Sequence, residues 1–163
     1  MGIASITWCM SQMSTSSEDW KEVSVEWQGG NTFLGTTPGG GFVQIGAFEG
    51  RPGASPMELL LLGLAGCTGI DVAGILIKKR QPLLDLRIEV RGKRKESPPR
   101  IYTEIEVTYL LWGDGLDAGA VEQAIALSED KYCSASAMLG AVAEIHSSYQ
   151  ILPTKDKVDQ IHG

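Results

Sequence analysis

Between Ser55 and Pro82 the chain carries an apolar run, Leu59 to Ile77, that a single charged residue, Asp71, interrupts. Ahead of it, Ser55-Pro56-Met57-Glu58 has the form of a capping box with proline at the first helical position, so a helix should start at once. Lys78-Lys79-Arg80 places cations at the negative end of that helix, and Pro82 blocks its continuation. Because the run is apolar almost all round, the reading is a helix buried on most sides. A bilayer span is the rival. Asp71 at mid-run and strand patterns on both flanks favour the core helix of a globular fold, since a lone charge is costly in lipid. Gly63, Gly66, Gly69 and Gly74, with Ala65, predict the close approach of another backbone along one stripe.

The flanks read as strands. Val23, Val25 and Trp27 alternate with Glu22, Ser24 and Glu26, and turns at Gln28-Gly29-Gly30-Asn31 and Pro38-Gly39-Gly40-Gly41 set off Thr32 to Gly35 and Phe42 to Ile45 as further strands of a meander. The second turn lacks phosphate-loop spacing and is a bare hairpin turn. Beyond Pro82, Leu84 to Arg91 and Ile101 to Tyr109 alternate as a hairpin, with Arg87 and Arg91 facing Glu104 and Glu106 on a solvated side. Val121, Ala124, Ile125 and Leu127 recur at helical spacing within Leu116 to Lys131, with Asp117 as N-cap. A second helix is expected over Ser134 to Ile145 and a closing strand over Tyr149 to Leu152. Strands, a long helix, a hairpin, two helices and a strand make an α+β class rather than a βαβ repeat.

At 163 residues one domain is expected. Fourteen Lys plus Arg against 20 Asp plus Glu give a net charge of −6, which offers no footprint for nucleic acid or anionic lipid. Three cysteines are too few for the disulfide framework of a secreted domain, and no basic region precedes the apolar start, so the cytoplasm is the expected compartment. Cys9 lacks the basic region and small residues of a lipoprotein cysteine. Residues 1–19 are Ser-rich and read as a disordered leader, with Met13 as an alternative start. Residues 154–163 read as a frayed tail.

On packing alone, Cys67, among Ala65, Gly66 and Gly69, is a small buried hydrophobe. Cys133 stands at an apparent helix start, where backbone N–H groups can stabilise a thiolate. Periodicity does not bring these two thiols together, and no C-x-x-C motif links them. Cys9, His146 and His162 have no metal-ligand spacing, so no metal site is expected. A hydrolase-like pairing of Cys67 with His146 lacks an orienting third group.

The segment Ser55 to Val72, and Leu127 to Met138 around Cys133, resemble the two cysteine signatures of the OsmC/Ohr family in its divergent OsmC-like branch. The order and separation of the two match the family, with the hairpin Pro99 to Thr103 between them. The likeness covers about Trp20 to Leu152, so residues 20–153 are expected as an OsmC-like domain. It implies antiparallel sheets around a long central helix, in an intertwined homodimer with its sites where the subunits meet. It also implies a thiol peroxidase without cofactor. Cys67 attacks organic or hydrogen peroxide, Cys133 resolves the sulfenic acid as a disulfide, and a thiol or dihydrolipoyl reductant resets both. The family's peroxidase branches add an Arg and a Glu. Here Met57 stands at the Glu position and the Gly29-Gly30 turn has no cation, which leaves Glu58 and Arg51 as substitutes. The alternative is a non-catalytic stress or small-ligand-binding protein that kept the fold and the cysteines.

Overall fold

The computed structural model describes residues 20–47 and 53–153. The expected leader and tail, Cys9, His162 and Arg51 lie outside these residues. The chain divides into two compact units, Met1–Gly53 and Ala54–Gly163.

In the first unit, strands β1 (Ser24–Gly29), β2 (Thr32–Thr36) and β3 (Phe42–Ile45) form the expected antiparallel meander in the order β1-β2-β3. The turn between β1 and β2 needs its two glycines: Gly29 and Gly30 have φ of +110° and +54°, where a Cβ is strained. The Trp27 indole N–H donates to the Gly30 carbonyl at 2.9 Å and closes the turn.

The second unit opens with helix α1 (Pro56–Lys78). Its capping box forms as read: the Ser55 hydroxyl accepts from the Glu58 N–H at 3.3 Å, and the Glu58 carboxylate accepts from the Ser55 N–H at 2.7 Å. At the far end Arg80 takes φ +56°, a left-handed turn that leads into Pro82. Strands β4 (Asp85–Arg94) and β5 (Tyr102–Trp112) pair antiparallel, with Arg91 opposite Glu106 in register and ion-paired to it. Arg87 instead pairs with Glu89 on its own strand, and Lys93 stands opposite Glu104. Helix α2 (Ala118–Leu127) starts at Asp117, whose carboxylate accepts from the Ala120 N–H at 2.7 Å.

Three expectations need correction. First, α2 passes into a π-helical turn, Ser128–Tyr132, and α3 spans only Ser134–Gly140, because Glu144 and Ile145 already belong to strand β6 (Glu144–Leu152). Second, β6 runs parallel to β5, not antiparallel; the helical crossover returns the chain to the starting end of the sheet, as a parallel pair requires. Third, within one chain α1 is buried along one side only. Leu64, Thr68, Val72 and Leu76, four residues apart, form one buried stripe against β4, α2, the π-turn and α3, whereas Leu62, Ile70 and Ile77 are more than half exposed. Among its glycines only Gly69 meets a close neighbour, the Ile88 side chain, and Gly63, Gly66 and Gly74 face open space within the described chain.

The buried stripe and the cap make different contributions. Leu76→Ala, at a fully buried position, is expected to cost about 2–5 kcal/mol of unfolding free energy, and Ser55→Ala about 1 kcal/mol. Urea unfolding checks both, and equal losses would contradict the assignment of Leu76 to the core.

Candidate active site

Cys67 lies near the middle of α1, and Asp71 follows one helical turn later on the same face. Cys133 comes from the other end of the sequence, at the junction of the π-turn and α3. The π-turn puts it there: the Cys133 N–H donates to the Ser128 carbonyl five residues back, at 2.7 Å, and the added residue turns Cys133 inward as the first cap of α3. The Cys133 Sγ accepts from the Ser136 N–H at 3.3 Å, as a capping serine would. The two sulfurs and an Asp71 carboxylate oxygen all lie within 4.8 Å of one another, and both cysteines are free thiols. Cys67 is half-buried and Cys133 only 2% exposed.

Cys133 thus occupies the helix start expected for it, but the net effect on its thiol is the reverse of the expectation. Burial pushes the Cys133 thiol up, and the neighbouring Cys67 thiol pushes the same way; the hydrogen bonds from Ser136 only partly oppose them. None of these influences is a cation. The group that faces both sulfurs is the Asp71 carboxylate.

A run of buried hydroxyls supports that carboxylate. Tyr109 Oη is 2.6 Å from Thr68 Oγ1, Thr68 Oγ1 is 3.0 Å from Ser128 Oγ, and the Ser128 hydroxyl donates to Asp71 Oδ2 at 3.1 Å. Each hydroxyl has one proton, so with Ser128 donating to Asp71 and Tyr109 to Glu129, the Thr68 proton goes to Tyr109 or to Ser128, one at a time. Glu129 borders the Tyr109 end, 3.4 Å from its hydroxyl, and takes a hydrogen bond from Ser147. Beside Asp71 a cleft of about 500 Å³, lined also by Ile70, Lys78, Lys79 and Tyr132, opens to solvent.

The remaining sequence candidates do not join this group. Glu58 is held in the cap of α1 by Ser55, whose hydrogen bonds also draw its carboxyl below the ordinary range, and it sits about 14 Å along the helix axis from Cys67. Met57 packs on the core and its carbonyl accepts from the Tyr102 hydroxyl. His146 is in register with Glu106 on the solvent side of the sheet and pairs with Glu144 at 3.7 Å, which removes the hydrolase-like pairing. Asp71, Thr68, Tyr109 and Ser128 were missed as site residues. For Asp71 a signal existed, since it follows Cys67 by four residues inside a helix and is the only charge in the apolar run.

Burial raises the Tyr109 phenol from its ordinary value of 10.0 to about 12, with the Glu129 charge adding to the rise and the Thr68 hydrogen bond opposing it. A raised value means that folding favours the neutral phenol. That stability is complete below pH 10 and is lost as pH climbs towards 12. Tyr109→Phe is expected to cost about 1–2 kcal/mol at neutral pH and to abolish the latest-titrating phenolate absorbance. A spectrophotometric titration in which the variant keeps that step would refute the assignment.

Sequence and structure comparisons agree with this architecture. Residues 48–148 match the family described as OsmC-like protein. Protein YhfA of Escherichia coli is 36% identical over 131 residues, which cover 80% of this chain and 98% of that protein. A hypothetical protein from Aquifex aeolicus is 40% identical with a TM-score of 0.75, covering 83% of this chain and 98% of that one. The organic hydroperoxide resistance protein OhrB of Bacillus subtilis, only 17% identical, has the same fold at a TM-score of 0.56, over 80% of this chain and 98% of that one. Two cysteines set by a central helix and by a π-turn, in a fold common to these proteins, therefore have a family context: the chain belongs to the OsmC-like protein family.

Proposed function

We propose that the chain is an OsmC-like redox protein that reduces organic or hydrogen peroxides through Cys67 and Cys133. The observation that carries this reading is the meeting of two reduced sulfurs within 4.8 Å, although they stand 66 positions apart in sequence. Cys67, the more accessible sulfur, attacks the terminal peroxide oxygen as thiolate; the O–O bond breaks, the alcohol leaves with a proton, and Cys67 becomes a sulfenic acid. The Cys133 sulfur then attacks the Cys67 sulfur and expels water, and the resulting disulfide is reduced by a thiol or dihydrolipoyl donor. The buried, upward-shifted Cys133 thiol suits the second step, where an electrophilic sulfur is already in place, better than the first.

One observation favours a second reading, a small-ligand-binding protein without fast peroxidase chemistry: among the described residues Asp71 lies beside the thiols and no cation acts on Cys133. Under the first reading Arg51 is the candidate for the missing positive charge. Peptide mapping after one equivalent of an organic hydroperoxide decides between the two. A rapid Cys67–Cys133 disulfide in the wild type, with stable sulfenic acid on Cys67 in Cys133→Ser and no consumption in Cys67→Ser, is the expected result. Both thiols left intact would move the assignment to the binding protein.

The same reading includes a cytoplasmic homodimer. The exposed apolar side of α1, Leu62, Ile70 and Ile77 with Leu84 beside it, would then be covered by a second copy, and the glycines that meet nothing within one chain would admit its close approach. Ile70→Asp should lower the sedimentation mass of the wild-type dimer to that of a monomer. A wild type that is itself monomeric at micromolar concentration would defeat this part of the proposal.

A further inference from the structure

We infer that Cys67, Asp71 and Cys133 together form a binding site for a thiophilic divalent metal ion, with Zn2+ as the fitting ion. The sequence offered no such site, because its metal reading rested on Cys9, His146 and His162; the fold assembles a different donor set. Two sulfurs and a carboxylate oxygen are Zn2+ ligands, and three protein donors leave the fourth tetrahedral position for water. Zn–S bonds of about 2.3 Å and Zn–O bonds of about 2.0–2.2 Å place tetrahedral donors about 3.5–3.8 Å apart. The three donor atoms lie within 4.8 Å of one another, so side-chain adjustment of about 1 Å closes the set.

The donors are already oriented. Cys67 and Asp71 share one face of a rigid helix, the Ser128 hydroxyl holds Asp71 Oδ2, and the Ser136 N–H holds Cys133 Sγ. Such outer partners are what aim first ligands at a metal. The cleft beside Asp71 brings solvent to the carboxylate side of the set. Charge is compatible with this: among the described residues no Lys or Arg forms an ion pair with Asp71, and Zn2+ would balance three donors that bind metals as anions. On binding, the two Zn–S bonds form as each thiol gives its proton to solvent, the carboxylate donates a lone pair, and no atom changes oxidation state.

The inference does not depend on peroxide reduction, and it is read without any peroxide. The reduced full-length protein is titrated with Zn2+ against a chromophoric chelator, and with Co2+ for its absorption spectrum. One ion per chain is expected, with thiolate-to-Co2+ charge-transfer bands and the intense visible bands of tetrahedral Co2+. Asp71→Asn keeps an acceptor for Ser128 and should weaken Zn2+ binding about tenfold or more. Cys67→Ser and Cys133→Ser should each remove the charge-transfer bands of the lost sulfur and weaken binding further. Cys133→Ser also serves as the folding control, since serine is a good helix cap and should preserve the far-ultraviolet circular dichroism. Fewer than one ion per chain in the wild type, or binding that persists unchanged in the three variants, would overturn the site; the latter result would assign the metal to residues elsewhere in the chain.

Discussion

Burial of the Leu64, Thr68, Val72 and Leu76 stripe is the constraint on which the second unit depends. Those residues lie four apart, so they stack along one side of α1, and β4, α2, the π-turn and α3 are placed by packing on that side. The adjacent stripe, Gly63, Cys67, Asp71 and Ile75, is displaced by one residue and so lies at the margin of the core. A thiol and a carboxylate on that margin are sheltered without being sealed. Full burial of an isolated carboxylate would be prohibitive, and the margin allows Asp71 both a hydroxyl donor and an outlet to the cleft.

Thr68 shows how the same packing couples core to site. It is a polar residue in an apolar stripe, and only its hydrogen bonds to Tyr109 and Ser128 make its burial tolerable. Those bonds connect the centre of β5, the core of α1 and the start of the π-turn through three hydroxyls that end on Asp71. The geometry of the cysteine pair therefore follows from satisfied buried polar groups as well as from apolar contact. The π-turn is the second element of this coupling. An ordinary α-helical continuation would have rotated Cys133 by part of a turn, away from α1.

For chemistry, the site presents opposed requirements. A thiolate at neutral pH needs positive charge nearby, while the described surroundings of Cys133 are a buried pocket, a second thiol and a carboxylate beyond it. A nearby cation, a bound metal ion or a protonated resting state would each relieve that opposition in a different way. They have different consequences for reactivity: the first activates the sulfur, the second occupies it and the third leaves it slow.

Much of the fold was legible because local patterns carry it. The capping box at Ser55, the period-two alternation of Leu84 to Arg91 and Ile101 to Tyr109, and the Gly29-Gly30 turn each dictate backbone geometry within a few residues. The α+β class was legible in the order of the elements, and the role of the two cysteines only through the resemblance of their two segments to a known family. The direction of β6, the early end of α3 and the one-sided burial of α1 were not, because each depends on partners distant in sequence. The same holds for Asp71. Its position four residues after Cys67 was written in the chain, but its nearness to Cys133 required a crossover of two helices, a π-turn and a parallel strand pairing, and only tertiary packing brings those together.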